Sequence, residues 1–154
     1  MNGVVYILTQ QSRIAAFIKT ISAFDLYFND RHHYPVVVFH EDLSTEDQEE
    51  MQGHTKTTLQ FWPVQLAVPE LLGVHAEALP EHTPCDPVRS TVHYRMMSHF
   101  HALTAHQLLK DYEWHWRLDD DALLTAPVQY DPFRYLEANQ KLYGYTVAVQ
   151  ETVE

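Results

Sequence analysis

Val36-Val37-Val38-Phe39 has no polar face. Side chains along a strand alternate between the two sides of a sheet, so a run apolar on both sides must be covered on both. That demands a parallel sheet with helices packed above and below. The rest of the chain supplies the pieces. Val4-Val5-Tyr6-Ile7-Leu8 is a β-branched run that predicts a first strand. Ile14, Phe17, Ile18, Ile21 and Phe24 recur three or four residues apart, predicting a helix over about 13–28 with Ser12 as its cap. Ser44-Thr45-Glu46-Asp47 opens a polar helix in capping-box style, with Asp in place of Glu. Leu59 to Pro63 predicts a third strand, ended by proline. A helix is expected over 92–109, then a strand from Trp114 to Asp119 and a short strand at 122–124. Asp131 and Pro132 fit the N-cap and first position of a helix over 132–139, and 143–149 reads as a last strand. Strands alternating with helices predict one α/β domain over residues 1–154, with a mostly parallel sheet flanked by helices. Residues 65–90 hold Pro69, Pro80, Pro84 and Pro87 and predict a long loop. Loops of that length in a compact domain are usually functional.

The chemistry concentrates at Trp114-His115-Trp116-Arg117-Leu118-Asp119-Asp120-Asp121, an aromatic-rich strand ending in three carboxylates. Like charges packed this tightly repel, and a cation relieves the repulsion. Carboxylate oxygens are the hard ligands of Mg²⁺, Mn²⁺ and Ca²⁺. The carboxyl ends of strands are where open α/β sheets bind ligands. Asp119 and Asp121 are therefore candidate metal ligands, with Asp120 pointing away; the alternative is a solvated turn. Arg117, inside the strand, is expected to pair with a buried carboxylate. Tyr112, Trp114 and Trp116 have strand spacing and read as core. His99 and His101 lie about 200° apart on a helix, and His99 and His106 about 10 Å apart, so a zinc site on them is not expected.

Four blocks then stand in order: Tyr94-Arg95-Met96-Met97-Ser98-His99-Phe100, Tyr112-Glu113-Trp114 through Asp119, Tyr130-Asp131-Pro132-Phe133-Arg134-Tyr135-Leu136, and Asn139-Gln140-Lys141-Leu142-Tyr143-Gly144-Tyr145. Together they resemble the fungal α-1,2-mannosyltransferases of glycosyltransferase family 15. That family reads Tyr-Arg-x-Met-x-x-Phe, Tyr-x-x-x-Trp-Arg-Val-acid, Tyr-Asp-x-Phe-x-aromatic and Asn-x-Lys-x-Tyr-Gly-aromatic. Phe28-Asn29, Arg31 and His33-Tyr34-Pro35 before Val36 resemble the approach to its second strand, so the likeness covers roughly residues 24–149. Asp119-x-Asp121 also has the spacing of the DxD motif of nucleotide-sugar glycosyltransferases.

The resemblance implies a GT-A-like (Rossmann-like) fold that transfers mannose from GDP-mannose to a mannose-containing glycan acceptor. It implies Mn²⁺, or another divalent cation, at Asp119 and Asp121, Arg95 on the donor diphosphate and Tyr94 lining a donor or acceptor pocket. A core tyrosine and a structural salt bridge are the alternatives for the last two. It also implies a Golgi or secretory-pathway lumen. Ser98 and Thr125-Ala126-Pro127 stand where the family usually has cysteines, and Asp119 where it often has Glu. Residues 65–88 do not align. In the family, a histidine metal ligand and a carboxylate near the reacting sugar follow the strand that here is 143–149. The resemblance thus implies a truncated, donor-side half without an assigned catalytic residue. A non-catalytic nucleotide-sugar- or glycan-binding remnant, or a partner domain for another chain, is the alternative.

Composition narrows the partners. A formal net charge of −11 opposes a nucleic-acid backbone. It tolerates an anionic nucleotide sugar, because a bound divalent cation reverses the local sign. The single cysteine, Cys85, permits no intrachain disulfide and reads as a loop residue between prolines. No stretch approaches the roughly 20 apolar residues that span a bilayer. Gly3 to Leu8 is too short, and lacks the basic flank, for a signal peptide.

Overall fold

The four strands among the described residues all run parallel. In this computed structural model, which describes residues 1–69, 73, 75, 78–84 and 91–145, β1 (Gly3–Thr9), β2 (Val36–His40), β3 (Leu59–Pro63) and β4 (Trp114–Arg117) form one sheet in the order β3-β2-β1-β4. Val5 lies opposite Val36 on one side and Trp116 on the other, and Val38 lies opposite Phe61.

This register sorts side chains onto two faces. Val5, Ile7, Val36, Val38 and Leu59 share the first with Phe17, Ile21 and Phe24 of α1 (Ile14–Phe24), Met51 of α3 (Thr45–Gly53) and Phe133 of α6 (Pro132–Ala138). Val4, Tyr6, Val37 and Phe39 share the second with Phe100, Ala105 and Leu109. Those three come from one helical run: α4 (Val92–His99), a π-turn over Phe100–Thr104, and α5 (Ala105–Leu108). All of β2 is buried, as its lack of a polar face required.

The chain steps outward from β1 to β2 to β3 with α1 and α3 on the first face. It then returns across the second face through α4 and α5, setting β4 on the far side of β1. The direction of winding therefore reverses between β1 and β4.

Local chemistry explains the boundaries. α3 has the expected capping box: Asp47 N–H donates to Ser44 Oγ at 3.1 Å and Ser44 N–H to Asp47 Oδ2 at 2.9 Å. Asp131 caps α6 through Oδ1, which accepts from Phe133 N–H at 3.0 Å and Arg134 N–H at 3.3 Å. Its other oxygen takes the Tyr34 hydroxyl at 2.7 Å, and burial together with this carboxylate pushes Tyr34 up to about 12. α1 does not end in a loop. It passes through a π-turn over Asp25–Asn29 and α2 (Asp30–His32), and closes with His33 at φ 57. Buried Asp25 fastens the π-turn to the approach of β3, accepting from the Thr55 hydroxyl, Thr57 Oγ1 at 2.7 Å and Lys56 N–H at 3.3 Å.

Two expectations change. Ser12 does not cap α1: it sits inside a 3₁₀ turn over Gln11–Arg13, its hydroxyl accepting from Gln10 Nε2 at 3.1 Å. The carboxylate that satisfies this turn is Asp42, whose Oδ1 accepts Gln11 N–H at 2.9 Å from the loop after β2. No strand forms at 122–124, because Ala122 N–H turns back to Asp119 O at 3.0 Å and closes a turn. Tyr143, Gly144 and Tyr145 are irregular; the rest of the expected last strand, and Cys85, lie outside the described residues.

Gly3 is where α6 meets the sheet. A Cβ there would lie 2.8 Å from Phe133 Cδ2 and 3.1 Å from Tyr34 Cε1, both on rigid, buried rings. Overpacking of this kind costs about 1–3 kcal/mol. Gly3→Ala should lower the urea midpoint and the melting temperature accordingly. Unchanged stability would show that α6 is not seated on the start of β1.

Candidate functional site

The reversal of winding sets the carboxyl ends of β1 and β4 side by side, the place where open α/β sheets form a ligand crevice. β1 closes with Thr9. β4 continues through Leu118, whose N–H reaches Tyr6 O at 3.0 Å, into the turn Asp119-Asp120-Asp121.

Asp120 faces inward, its side chain only 12% exposed. Thr9 Oγ1 donates to its Oδ2 at 2.9 Å. Arg13 donates through Nη2 to Oδ1 at 2.9 Å and through Nε to both oxygens at 3.2–3.3 Å. Thr20 Oγ1 donates to the Asp120 main-chain oxygen at 2.9 Å. A carboxylate this buried is stable only when paired and hydrogen-bonded, and Thr9 and Arg13 supply both. Arg13 Nη2 also reaches Asp121 Oδ2 at 2.6 Å. Asp119 receives Arg117 Nε at 2.7 Å. The hydrogen bonds to Asp120, then to Asp121, raise the pKa of Arg13 further above its already high value.

Arg117 thus differs from expectation. Its partner is a carboxylate 54% exposed, not a buried one, because this end of β4 lies at the sheet margin, where β1 is its one strand partner among the described residues. Asp121 is 64% exposed.

Asp119 and Asp121 offer hard oxygens at the crevice, a donor set that suits Mn²⁺ or a similar cation. Among the described residues, no three His, Cys, Asp or Glu side chains converge to hold an ion by themselves. Two carboxylates leave most of a six-coordinate shell to water or phosphate oxygens, so the residues fit a cation that arrives with an anionic ligand.

Tyr94 and Arg95 open α4, which Thr91 caps through Tyr94 N–H at 3.1 Å. The Tyr94 ring is half exposed. Arg95 donates to the carbonyls of Pro80 at 2.6 Å and Glu81 at 3.4 Å, fastening the long loop to α4. Glu41, just past β2, does the same at the start of that loop. Its Oε1 accepts Leu66 N–H at 2.8 Å, and its Oε2 lies 3.0 Å from His93 Nε2. Sequence reasoning missed Thr9, Arg13, Glu41 and His93. For Arg13 no local signal existed, because it meets Asp120 across 107 residues.

The second face carries a polar cluster beneath the same edge. The Tyr6 hydroxyl lies 3.4 Å from His101 Nδ1. Burial, then the positive charge of Arg117, takes His101 down to about 4; burial pushes Tyr6 up to about 12. The rings of His106 and His115 lie 4.6 Å apart, and burial followed by His106 lowers His115.

Fold and edge define a doubly wound α/β domain with an arginine-braced acidic turn at the reversal of its strand order. The profile of the Glycolipid 2-alpha-mannosyltransferase family matches residues 1–154, and the chain belongs to that family. It is 27% identical over 160 residues to O-glycoside alpha-1,2-mannosyltransferase homolog 4 of Schizosaccharomyces pombe, covering 98% of this chain and 36% of that protein. It is 26% identical over 157 residues to Glycolipid 2-alpha-mannosyltransferase 2 of Candida albicans, covering 94% and 33%. Its fold is that of core-mannan synthase A (CmsA/Ktr4) of Aspergillus fumigatus in an Mn/GDP form, with a TM-score of 0.70 at 18% identity over 91% of this chain and 40% of that one. The mannosyltransferase Ktr4p of S. cerevisiae in complex with GDP superposes similarly, with a TM-score of 0.69 at 18% identity over 91% and 38%. The chain therefore spans between a third and two fifths of the length of these proteins. The GT-A-like parallel sheet implied by the sequence resemblance is the fold observed.

The cluster on the second face sets an acid limit. His101 titrates near 4 in the folded protein and near 6.5 when unfolded, so on acidification the unfolded chain takes up the proton first. The stabilisation is complete above pH 6.5 and is lost as pH falls toward 4. A shift from 6.5 to about 4 corresponds to at most about 3 kcal/mol, and partial exposure of the ring screens this to about 2 kcal/mol. Chemical denaturation between pH 7 and 4 should show a shallower decline in His101→Gln than in wild type. Parallel curves would mean that His101 is not held neutral by the fold.

Proposed function

We propose that this domain binds GDP-mannose at the crevice between β1 and β4 and serves the transfer of mannose to a mannose-containing glycan. The observation that carries the reading is the acidic turn at the reversal of strand order, in a chain that matches the mannosyltransferase family from end to end. The A. fumigatus neighbour in its Mn/GDP form supports a divalent cation as the companion of the nucleotide.

Asp119 and Asp121 would hold that cation. When bound, it supplies Lewis-acid stabilisation of the charge that develops on the departing diphosphate. Asp120 stays in its pocket with Thr9 and Arg13 and fixes the turn. Arg95 carries a planar fork suited to a diphosphate and, through Pro80 and Glu81, ties the long loop to the helix that presents it. Tyr94, half exposed beside it, offers a ring to a sugar or base. No carboxylate is assigned as nucleophile or base. Membership of the glycolipid 2-alpha-mannosyltransferase family supports a Golgi or secretory lumen as the place of that reaction. Among the described residues no helix is long and apolar enough to cross a membrane. Binding of the nucleotide sugar without transfer uses the same donor residues, and release of GDP from GDP-mannose separates the two.

The test is calorimetric titration of GDP with Mn²⁺ present. Asp119→Ala should bind at least tenfold more weakly than wild type, about 1.4 kcal/mol. Equal affinities would remove the acidic turn from the donor site.

A further inference from the structure

Arg13 makes one more contact than a structural clamp requires. Asp120, half-buried and bonded to Thr9 and to both Nε and Nη2 of Arg13, already anchors the turn to the start of α1. Yet Nη2 is shared, and its shorter contact, 2.6 Å against 2.9 Å, goes to Asp121, the most exposed acid of the turn. The Arg13 side chain is itself 39% exposed. Releasing Asp121 would cost Arg13 one hydrogen bond, leave those to Asp120 in place and require no repacking.

We propose that Arg13 is a positioning residue with an exchangeable hold: it competes with a hard divalent cation for Asp121 while remaining bound to Asp120. Resting on the reading of Asp119 and Asp121 as cation ligands, it adds the control of their affinity. A guanidinium offers one positive charge and hydrogen bonds. A divalent cation offers two charges and direct coordination to oxygen, so it displaces the guanidinium at an exposed carboxylate. While the hold lasts, Arg13 lowers the affinity of the turn for a cation arriving alone. A cation arriving with a diphosphate has additional oxygens on its side and overcomes it.

The experiment measures Mn²⁺ binding to the full chain from the electron paramagnetic resonance signal of free Mn²⁺, without nucleotide. Arg13→Gln should bind Mn²⁺ at least fivefold tighter than wild type. That gain should vanish when Asp121→Asn is added. Arg13→Lys keeps the charge beside Asp120 but loses the planar fork that reaches Asp120 and Asp121 together, and should bind tighter by a smaller factor. Circular dichroism checks that each variant is folded; should Arg13→Gln not fold, Arg13→Lys decides. Unchanged or weaker Mn²⁺ binding in the folded Arg13 variants overturns the proposal and leaves Arg13 a clamp only. Asp119→Ala separates this from the underlying reading: if it binds Mn²⁺ as wild type does, the cation is not held at the turn and both ideas fall. If it binds more weakly while the Arg13 variants bind no tighter, the competition alone is wrong.

Discussion

β1 has a hydrogen-bonded strand on each side and a packed layer on each face, and the position of everything chemical follows from that. Val4, Val5 and Ile7 are completely buried. Each such side chain contributes about 1.5–3 kcal/mol relative to exposure. The alternation that buries Val5 and Ile7 against α1 also buries Val4 and Tyr6 against the α4–α5 layer. A slip of one residue would exchange the two faces, so the register is strongly specified. Register in turn places the acids. With Gly3 opposite Trp114 and Tyr6 opposite Arg117, β4 carries its tryptophans toward the first core and leaves its charges at the carboxyl end beside Thr9. The contact between Thr9 and Asp120 is a consequence of that ladder.

Electrostatics then divides three adjacent aspartates into different roles. The chain has a formal net charge of −11, so its basic groups are scarce. Two of its arginines sit at this turn. Arg13 stabilises the half-buried Asp120, whose partial desolvation would otherwise be costly. Arg117 offsets Asp119, and between two exposed groups such a pair contributes little to stability. The inner acid is therefore structural, and the outer two remain open to solvent. Asp120, read from the sequence as the acid pointing away, is in the folded chain the anchor of the turn, and Asp119 and Asp121 stay exposed.

Elements whose cause lies within a few residues were legible in the sequence. Val36 to Phe39 is apolar on both faces whatever surrounds it. Ser44 with Asp47, and Asp131 with Pro132, satisfy helix N-termini inside a single turn. The misreadings share a different cause. Ser12 had the right chemistry for a cap, but the carboxylate that satisfies the turn is Asp42, 31 residues away. Arg13 meets Asp120 across 107 residues, and no local pattern distinguishes it from a solvated arginine. Leu123 and Leu124 looked like strand because they are apolar, yet Ala122 had turned the chain before a neighbouring strand could pair with it. Arg117 was given a buried partner because strand interiors are usually covered, and the sheet margin is not.

The long loop also takes its place from distant contacts. Glu41 lies just beyond β2, at the same edge of the sheet as the acidic turn, and holds both Leu66 at the start of the loop and His93 in the helix that follows it. Arg95 holds Pro80 and Glu81 in between. Ordering a residue's backbone costs about 1–2 kcal/mol. Among the described residues, Leu66, Pro80 and Glu81 have given up part of that freedom on folding. The fastening residues, Glu41 and Arg95, are polar and lie outside the loop; they hold it through carbonyls and a main-chain N–H, while Leu66 packs against the second core.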